Sequence, residues 1–183
     1  MFSTLLQNHM QCLESLTDIQ TDIEQAGRLM VTALQKGNKI LVAGNGGSAA
    51  DSQHFAAELI GRFEQERISY PAIALTTDTS ILTALGNDYG FDKIFSRQVE
   101  GLGNPNDILI CISTSGNSKN LILAAETADR KGVKTIGLFG NSGGLLKEKM
   151  NLSITVPNQV TARIQEAHIF ILHYWAAFIE KNR

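Results

Sequence analysis

Residues 113–118 are the segment of this sequence whose side chains best suit a phosphate group. They are Ser113, Thr114, Ser115, Gly116, Asn117 and Ser118, placed directly after an apolar run and before a helical pattern. Backbone amides at a helix start give fixed hydrogen-bond donors, hydroxyls give adjustable ones, and glycine lets the backbone approach a ligand closely. A helix cap followed by a tight turn uses the same residue types, so the segment alone fits both interpretations.

A second glycine-rich segment, residues 44–48, favours ligand binding over a simple turn. Its residues Gly44, Asn45, Gly46, Gly47 and Ser48 lack the lysine of a P-loop and the G-x-G-x-x-G spacing of a dinucleotide site. A third such segment, residues 140–144, follows a later apolar run. In open α/β sheets, ligands bind outside the carboxyl ends of the strands, where loops lead into helices. We therefore expect segments 44–48 and 113–118 to share one small anionic ligand.

His54 and Glu58 lie four residues apart in the helical pattern that follows the 44–48 segment. This spacing places both side chains on one face of a helix. The geometry suits a pair of metal ligands, and it equally suits a solvated histidine–glutamate pair. Because a predicted ligand loop lies just upstream, we favour the functional interpretation.

The last helical pattern concentrates polar side chains in a segment otherwise built for burial. Gln165, Glu166 and His168 are followed by His173. Since buried polar groups need partners, the residues alone predict His168 and His173 as hydrogen-bonded core or interface histidines. Gln165 and Glu166 would be exposed residues of the first turn, where the helix dipole favours the glutamate.

The elements that position these groups alternate between apolar runs and helical stretches. Five short runs predict strands at residues 40–43, 72–75, 108–112, 135–139 and 152–156. Each is too continuously apolar for a strand with one wet face, so we expect a parallel sheet covered by helices on both sides. Residues 1–36 predict two helices or one bent helix, which could pack on this sheet or on another subunit. A final helix is expected over residues 162–180.

The composition is that of an ordinary globular protein. The chain has 183 residues, 43% hydrophobic and 19% charged, with a formal net charge of −2. That charge gives no electrostatic reason to expect binding to nucleic acid. Cys12 and Cys111 have no metal-ligand or redox spacing, and the segment around Cys111 predicts a buried thiol. With no leader-like segment and no apolar run long enough to span a membrane, we expect a cytoplasmic protein.

Four stretches of the chain carry a resemblance to a known family. GNGGSAADSQHFAAEL, LTALGNDYGF, ISTSGNS and TARIQEAH occur in this order. With them, the chain resembles the sugar isomerase (SIS) domain family and, within it, the phosphoheptose isomerases. The resemblance implies a flavodoxin-like three-layer α/β/α sandwich with a five-stranded parallel sheet. It also implies a single SIS domain over residues 1–183, in which residues 1–36 form an N-terminal helical extension.

The resemblance further implies an aldose–ketose isomerase, which is an intramolecular oxidoreductase. Its substrate would be D-sedoheptulose 7-phosphate and its product D-glycero-D-manno-heptose 7-phosphate, the first step of ADP-heptose biosynthesis for the lipopolysaccharide core. The enzyme would be a cytoplasmic homotetramer with one zinc ion per subunit and active sites near the subunit interfaces. Carried over by motif, the substrate contacts fall on Asn45, Gly46, Gly47, Glu58, Asn87, Asp88, Ser113, Thr114, Ser115, Ser118 and Gln165. The zinc ligands fall on His54, Glu58, Gln165 and His173.

The implied chemistry moves a proton between C1 and C2 through an enediol-like intermediate. Glu58 would be the base and His173 the complementary acid or base, with zinc polarising the carbonyl. A zinc-bound carboxylate is a poorer base, so the two roles of Glu58 compete and both stay open. Gln165 and His173 are separated by about 12 Å along one helix, which is awkward for one ion and favours a site assembled between subunits.

Alternatives for the substrate and for the function stay open. Some family members have an acidic residue where this chain has Ala162, and this difference bears on which sugar phosphate is accepted and not on the reaction type. A non-catalytic SIS protein that binds a replication initiator is the main alternative function, but that relative lacks the glutamate found here at Glu58. A sugar-phosphate sensor is a third alternative, although no DNA-binding extension accompanies the core.

Overall fold

The computed structural model describes all 183 residues and has a five-stranded parallel sheet at its centre. The strands are β1 (Ile40–Gly44), β2 (Ala72–Ala74), β3 (Ile108–Ser113), β4 (Lys134–Phe139) and β5 (Leu152–Thr155). Their order across the sheet is β2-β1-β3-β4-β5, and every neighbouring pair is parallel. All five predicted strands are confirmed, each to within one residue at either end.

Helices cover both faces of this sheet, as the apolar strands predict. They are α1 (Phe2–Glu14), α2 (Gln20–Gln35), α3 (Gly47–Ile60), α4 (Thr79–Tyr89), α5 (Ile94–Leu102), α6 (Lys119–Arg130) and α7 (Thr161–Asn182). Along β1, Ile40 and Val42 join a core shared with α2, α3 and α7, whereas Leu41 and Ala43 join a core shared with α5 and α6. This alternation follows from the two-residue period of a strand. The predicted three-layer α/β/α sandwich is confirmed.

The N-terminal helices pack on the sheet of their own chain. α1 and α2 are joined by a short 3₁₀ turn, Ser15–Ile19, so of the two predicted arrangements, two helices or one bent helix, the structure has the first. Cys12, Leu16 and Met30 are buried in the core that contains β1 and α7. One side of α1 nevertheless stays uncovered, since Leu6 and Met10 are about half exposed. None of the helices is both long and apolar enough to cross a membrane.

Helices α3 and α7 bring the predicted functional residues together. Both begin at the carboxyl edge of the sheet, and they lie in contact with each other in one layer. Near their starts, a Cβ placed on Gly47 would lie only 2.6 Å from the side-chain nitrogen of Gln165. Further along, the rings of His54 and His173 have centroids 5.0 Å apart. The two helices therefore run parallel, with matched positions along a common seam.

Candidate active site

A small polar pocket of about 130 Å³ lies where the loops after β1 and β3 meet the start of α7. Its lining residues are Asn45, Ser48, Ile112, Ser113, Thr114, Ser115, Ser118 and Gln165. Segments 44–48 and 113–118 therefore converge on one pocket, which the expected shared ligand requires. Ser48 is buried, and its place in the pocket was not among the predicted substrate contacts. The sequence feature that could have identified Ser48 as a pocket residue is its position at the end of the 44–48 segment.

The 113–118 turn is held in shape by its own side chains and by hydrogen bonds from residues 141–146. The Gly116 amide donates to the Ser113 hydroxyl at 3.1 Å, and the Asn117 amide donates to the Ser115 hydroxyl at 3.2 Å. Gly116 has φ +67° and touches the backbone of the 140–144 loop so closely that a Cβ would lie 1.8 Å from the Gly143 carbonyl oxygen. Only glycine fits this position, because both its conformation and its space exclude a side chain.

The alternative interpretation of this turn as a side-chain helix cap does not hold. Ser118 precedes the first residue of α6, but its hydroxyl caps no helix amide. The Asn117 side chain instead accepts a hydrogen bond at 3.0 Å from the Leu145 amide, which belongs to the segment after the 140–144 loop. The hydroxyl of Ser118 is thus left for a ligand in the pocket that it lines.

Asn45 is fixed by a residue that the sequence did not single out. The side-chain amides of Asn45 and Asn120 exchange two hydrogen bonds, of 3.0 and 2.9 Å. Asn120 lies in the first turn of α6 and is buried. This pair ties the loop after β1 to the helix that follows the 113–118 turn, so the two halves of the pocket are held together.

His54, Glu58 and His173 form a cluster of potential metal ligands farther along the seam. Nε2 of His54 lies 2.8 Å from Oε1 of Glu58 and 3.5 Å from Nε2 of His173. One ligand atom from each residue lies within 4.8 Å of the others. Two nitrogens that bind one tetrahedral zinc are about 3.3 Å apart, given zinc–nitrogen distances of about 2.0–2.1 Å. The donor set and its spacing fit a zinc site with an open fourth position.

Gln165 does not join this cluster within the chain. Its side chain lines the polar pocket and lies against Gly47, whereas His54 and His173 follow seven and eight residues later on the two helices. At a rise of about 1.5 Å per residue, the pocket and the cluster are separated by about 10–12 Å. Three of the four predicted zinc ligands therefore come together, and the fourth lies beside the predicted phosphate site.

Asn87 and Asp88 lie outside the pocket as well. Both are exposed in the last turn of α4, where the Asn87 side chain donates to the Asp88 carboxylate at 2.8 Å. α4 has no buried residue. The chain therefore does not bring these two predicted substrate contacts to the residues that line the pocket.

His168 is a structural histidine, as the sequence indicated. Its ring is fully buried, and Nε2 lies 3.1 Å from the carbonyl oxygen of Phe139, at the end of β4. Because that carbonyl can only accept, Nε2 carries the proton and donates. Burial lowers the pKa of His168 to about 4, which keeps the ring neutral.

Asp51 is a further acidic group on the seam that the sequence did not single out. It lies one turn before His54 on α3, and its Oδ2 is buried without a hydrogen-bond partner. Burial raises the pKa of Asp51, although the nearby His54 acts in the opposite direction.

Comparisons with known proteins agree with this architecture. The SIS domain family profile matches residues 6–140. A phosphoheptose isomerase from Geotalea daltonii is 52% identical over 178 residues, which are 97% of this chain and 93% of that protein. The structure of a phosphoheptose isomerase from Francisella tularensis superimposes with a TM-score of 0.95 at 41% identity, covering 98% of this chain and 96% of that one. Phosphoheptose isomerase GmhA from Neisseria gonorrhoeae gives a TM-score of 0.88 at 43% identity, covering 98% and 95%. The chain belongs to the SIS domain family and, within it, to the phosphoheptose isomerases.

Proposed function

We propose that this protein converts D-sedoheptulose 7-phosphate into D-glycero-D-manno-heptose 7-phosphate, an aldose–ketose isomerisation. The observation that carries the proposal is the arrangement of the α3–α7 seam, with a hydroxyl-lined pocket at one end and the His54–Glu58–His173 cluster at the other. One end suits a phosphate and the other suits proton transfer. The names of the relatives, which are phosphoheptose isomerases, support the same substrate class.

Phosphate binding is assigned to the 113–118 turn and the 44–48 loop. Hydroxyls of Ser113, Thr114, Ser115 and Ser118, together with free amides at the start of α6, supply donors for a dianion without any lysine or arginine in the pocket. Asn45 and Gln165 would donate to phosphate or to neighbouring sugar hydroxyls. With the phosphate held there, the open-chain sugar can extend along the seam toward Glu58.

Proton transfer is assigned to Glu58 and His173. Glu58 would take the proton from one of the two carbons C1 and C2 and return it to the other, through an enediol-like intermediate. His173 would exchange a proton with the sugar oxygens. In the hydrogen bond to His54, Glu58 uses Oε1, so Oε2 is the oxygen free to receive the proton from carbon.

Zinc is the proposed cofactor, with His54, Glu58 and His173 as its ligands in this chain. Bound there, zinc would polarise the carbonyl and stabilise the negative charge that develops on the sugar oxygens. Gln165 is a predicted fourth ligand. For it to serve, the side chain would have to reach the ion from a position other than the one it holds against Gly47.

We also propose a cytoplasmic homotetramer in which neighbouring subunits complete the site. Asn87 and Asp88 support this, because they are predicted substrate contacts that do not reach the pocket of their own chain. The uncovered apolar side of α1 supports it as well, since such patches are typical of subunit interfaces.

The proposal is tested by an isomerase assay combined with metal analysis of the purified protein. We expect the aldose phosphate to form from sedoheptulose 7-phosphate, and we expect activity to fall when a chelator removes the metal and to recover when zinc is returned. Absence of turnover with zinc supplied, together with tight binding to a replication-initiator protein, would contradict it.

A further inference from the structure

Residues 61–70, which we call the clamp segment, leave the end of α3 and fold back over the far end of the α3–α7 seam. A buried ion pair between Arg67 and Glu180 organises this segment, and Phe63 lies against His173. We propose that Arg67, Glu180 and Phe63 are positioning residues that hold Glu58 and His173 at their working separation. The inference rests on the proposed function, because it assigns support to the same catalytic pair.

Glu180 holds the first half of the clamp segment. Its carboxylate accepts backbone hydrogen bonds from Phe63 at 2.7 Å, from Glu64 at 3.0 Å and from Gln65 at 3.0 Å. The Nε of Arg67 lies 3.2 Å from Oε1 of the same carboxylate, and only 2% of the Glu180 side chain is exposed. Three consecutive amides and one guanidinium thus compensate a buried charge, which makes this carboxylate hard to replace.

Arg67 holds the end of α3. Its guanidinium donates to the carbonyl oxygen of Glu58 at 2.6 Å and to that of Leu59 at 2.8 Å. It also donates to the Gly61 carbonyl at 2.9 Å. The last carbonyls of a helix have no partner within the helix, and these bonds satisfy them. The Leu59 carbonyl also accepts a hydrogen bond from the Tyr70 amide at 3.0 Å. The backbone of Glu58, the proposed base, is therefore fixed by Arg67.

Phe63 limits the orientation of His173. The two ring centroids are 5.4 Å apart at an interplanar angle of 31°, while His54 approaches His173 at 75° with centroids 5.0 Å apart. The imidazole therefore has two ring neighbours, whose planes meet its own at different angles. Glu180 lies two helical turns after His173 on α7, so the helix that carries the histidine also holds the Phe63 amide.

Neither Arg67, Glu180 nor Phe63 belongs to the set of potential metal ligands or lines the polar pocket. Their contacts act on the backbone of Glu58 and on the ring of His173. The clamp segment thus connects the two helices that each contribute one member of the catalytic pair. Loosening it should change the catalytic pair and the metal site more than the phosphate pocket, which lies at the other end of the seam.

The test compares Glu180→Gln with a matched control, Asp107→Asn. The Asp107 side chain is equally buried, pairs with Lys39 at 2.5 Å and accepts backbone hydrogen bonds from Lys39 and Asn104. It precedes β3, at the edge of the sheet opposite the site. Both substitutions should lower the free energy of unfolding, because each weakens a buried ion pair. Phe63→Ala and its conservative counterpart Phe63→Tyr form a second comparison that leaves the ion pair intact.

We expect Glu180→Gln and Phe63→Ala to lower zinc affinity by about ten- to one-hundred-fold, as for other residues that support metal ligands. Zinc affinity is measured by chelator competition. We expect kcat to fall together with zinc affinity and KM for the sugar phosphate to change little. Asp107→Asn and Phe63→Tyr should match the parent protein in zinc affinity and in kcat. Equal zinc affinity and kcat in Glu180→Gln and Asp107→Asn would overturn the inference.

A further measurement separates failure of the inference from failure of the proposed function. In the zinc-free protein, the ring resonances of His173 observed by NMR should shift or broaden in Glu180→Gln and Phe63→Ala but not in Asp107→Asn. If the parent protein showed neither zinc binding nor turnover, the proposed function would fail while this comparison still tested the clamp. Unchanged His173 resonances in both variants would refute the positioning role.

Discussion

Glu58 combines two assignments that normally oppose each other. As a metal ligand it would lose basicity, and as a base it must accept a proton from carbon. The contact with His54 uses one oxygen, Oε1, and the side chain is 20% exposed. A carboxylate that binds through one oxygen can present the other to substrate. The two roles can therefore be divided within a single side chain.

At this scale, Glu58→Gln should abolish turnover while sugar-phosphate binding persists. Loss of a general base typically costs about 10²–10⁴-fold in rate, whereas the phosphate contacts are assigned to other residues about 10–12 Å away. Steady-state kinetics and calorimetric titration with sedoheptulose 7-phosphate measure the two quantities. Glu66→Gln is the control, since the Glu66 side chain is 91% exposed and pairs only with Arg62. An equal loss of binding and turnover would contradict the assignment of proton transfer to Glu58 and of phosphate binding to other residues.

His168 gives the protein a pH-dependent stability. Its pKa of about 4 lies below the usual value near 6.5 because the ring is buried. Between these two pH values the imidazole is protonated in the unfolded chain but neutral in the folded chain. Its contribution is fully present above about pH 6.5 and is lost as the pH falls toward 4. The integrated effect of such a shift is about 3 kcal/mol.

We therefore expect the free energy of unfolding of the zinc-free protein to fall less steeply between about pH 6.5 and pH 4 in His168→Gln than in the parent. Glutamine can still donate to the Phe139 carbonyl but does not titrate in this range. Urea titrations across the interval measure the difference. Equal slopes would show that His168 does not carry the effect, while the other histidines, present in both proteins, cancel in the comparison.

At the scale of elements, the proposed phosphate pocket depends on contact between loops. The 113–118 turn and the 140–144 loop approach so closely that the Gly116 position has no room for a side chain. Each loop follows a strand that neighbours the other, β3 and β4, so the sheet register brings them together. The shape of the pocket is thus a property of two loops and not of the 113–118 turn alone.

Gly116→Ala should accordingly destabilise the fold and weaken phosphate binding. Gly132→Ala is a matched control, because Gly132 has a similar φ of +70° but its nearest neighbour to a Cβ is at 3.7 Å, whereas that at Gly116 is at 1.8 Å. We expect about 1 kcal/mol of destabilisation in the control, from backbone strain, and a clearly larger loss at Gly116. Chemical denaturation and titration with inorganic phosphate provide the measurements. Equal effects at both positions would contradict the role of loop contact.

At the scale of the whole molecule, α1 and α7 carry a group of exposed apolar residues. Phe2, Leu5, Leu6 and Met10 on α1 and Phe170 on α7 are all at least 46% exposed. Next to them, Leu13, Leu16 and Ile23 line an apolar groove with Phe170 and Tyr174. A surface of this kind is typical of an interface between subunits.

If this surface forms the proposed tetramer, Leu6→Glu and Phe170→Glu should dissociate it, because a carboxylate is costly to bury. Light scattering after size-exclusion chromatography measures the assembly. Isomerase activity should fall in the same variants, since Asn87 and Asp88 would lose a neighbouring pocket. Leu102→Glu, at an exposed position at the end of α5 in the opposite layer, is the control. A monomeric parent protein with full activity would contradict the proposal.

The strands and the ligand loops could be predicted from the sequence because their signals are local. Strands buried on both faces form continuous apolar runs, and the loops at their carboxyl ends carry glycine and hydroxyl residues in sequence. The Arg67–Glu180 pair and the Asn45–Asn120 pair could not be predicted, because the partners in each pair are far apart in the chain. The first pair meets through the packing of α3 on α7, and the second through the pairing of β1 with β3. The place of Gln165 beside Gly47 also depends on the packing of α3 on α7.

The parallel course of α3 and α7 fixes the distance between the two ends of the site. Gly47 and Gln165 mark one end, His54 and His173 the other, and two stiff helices keep the interval at about 10–12 Å. If the pocket binds phosphate as proposed, a sugar held there by its terminal phosphate reaches Glu58 only when its carbon chain is long enough. A pentose phosphate bound in the same way would not extend as far as Glu58. The separation along the two helices would thus select sugar phosphates by the length of their carbon chain. No residue would be needed to recognise the seventh carbon itself.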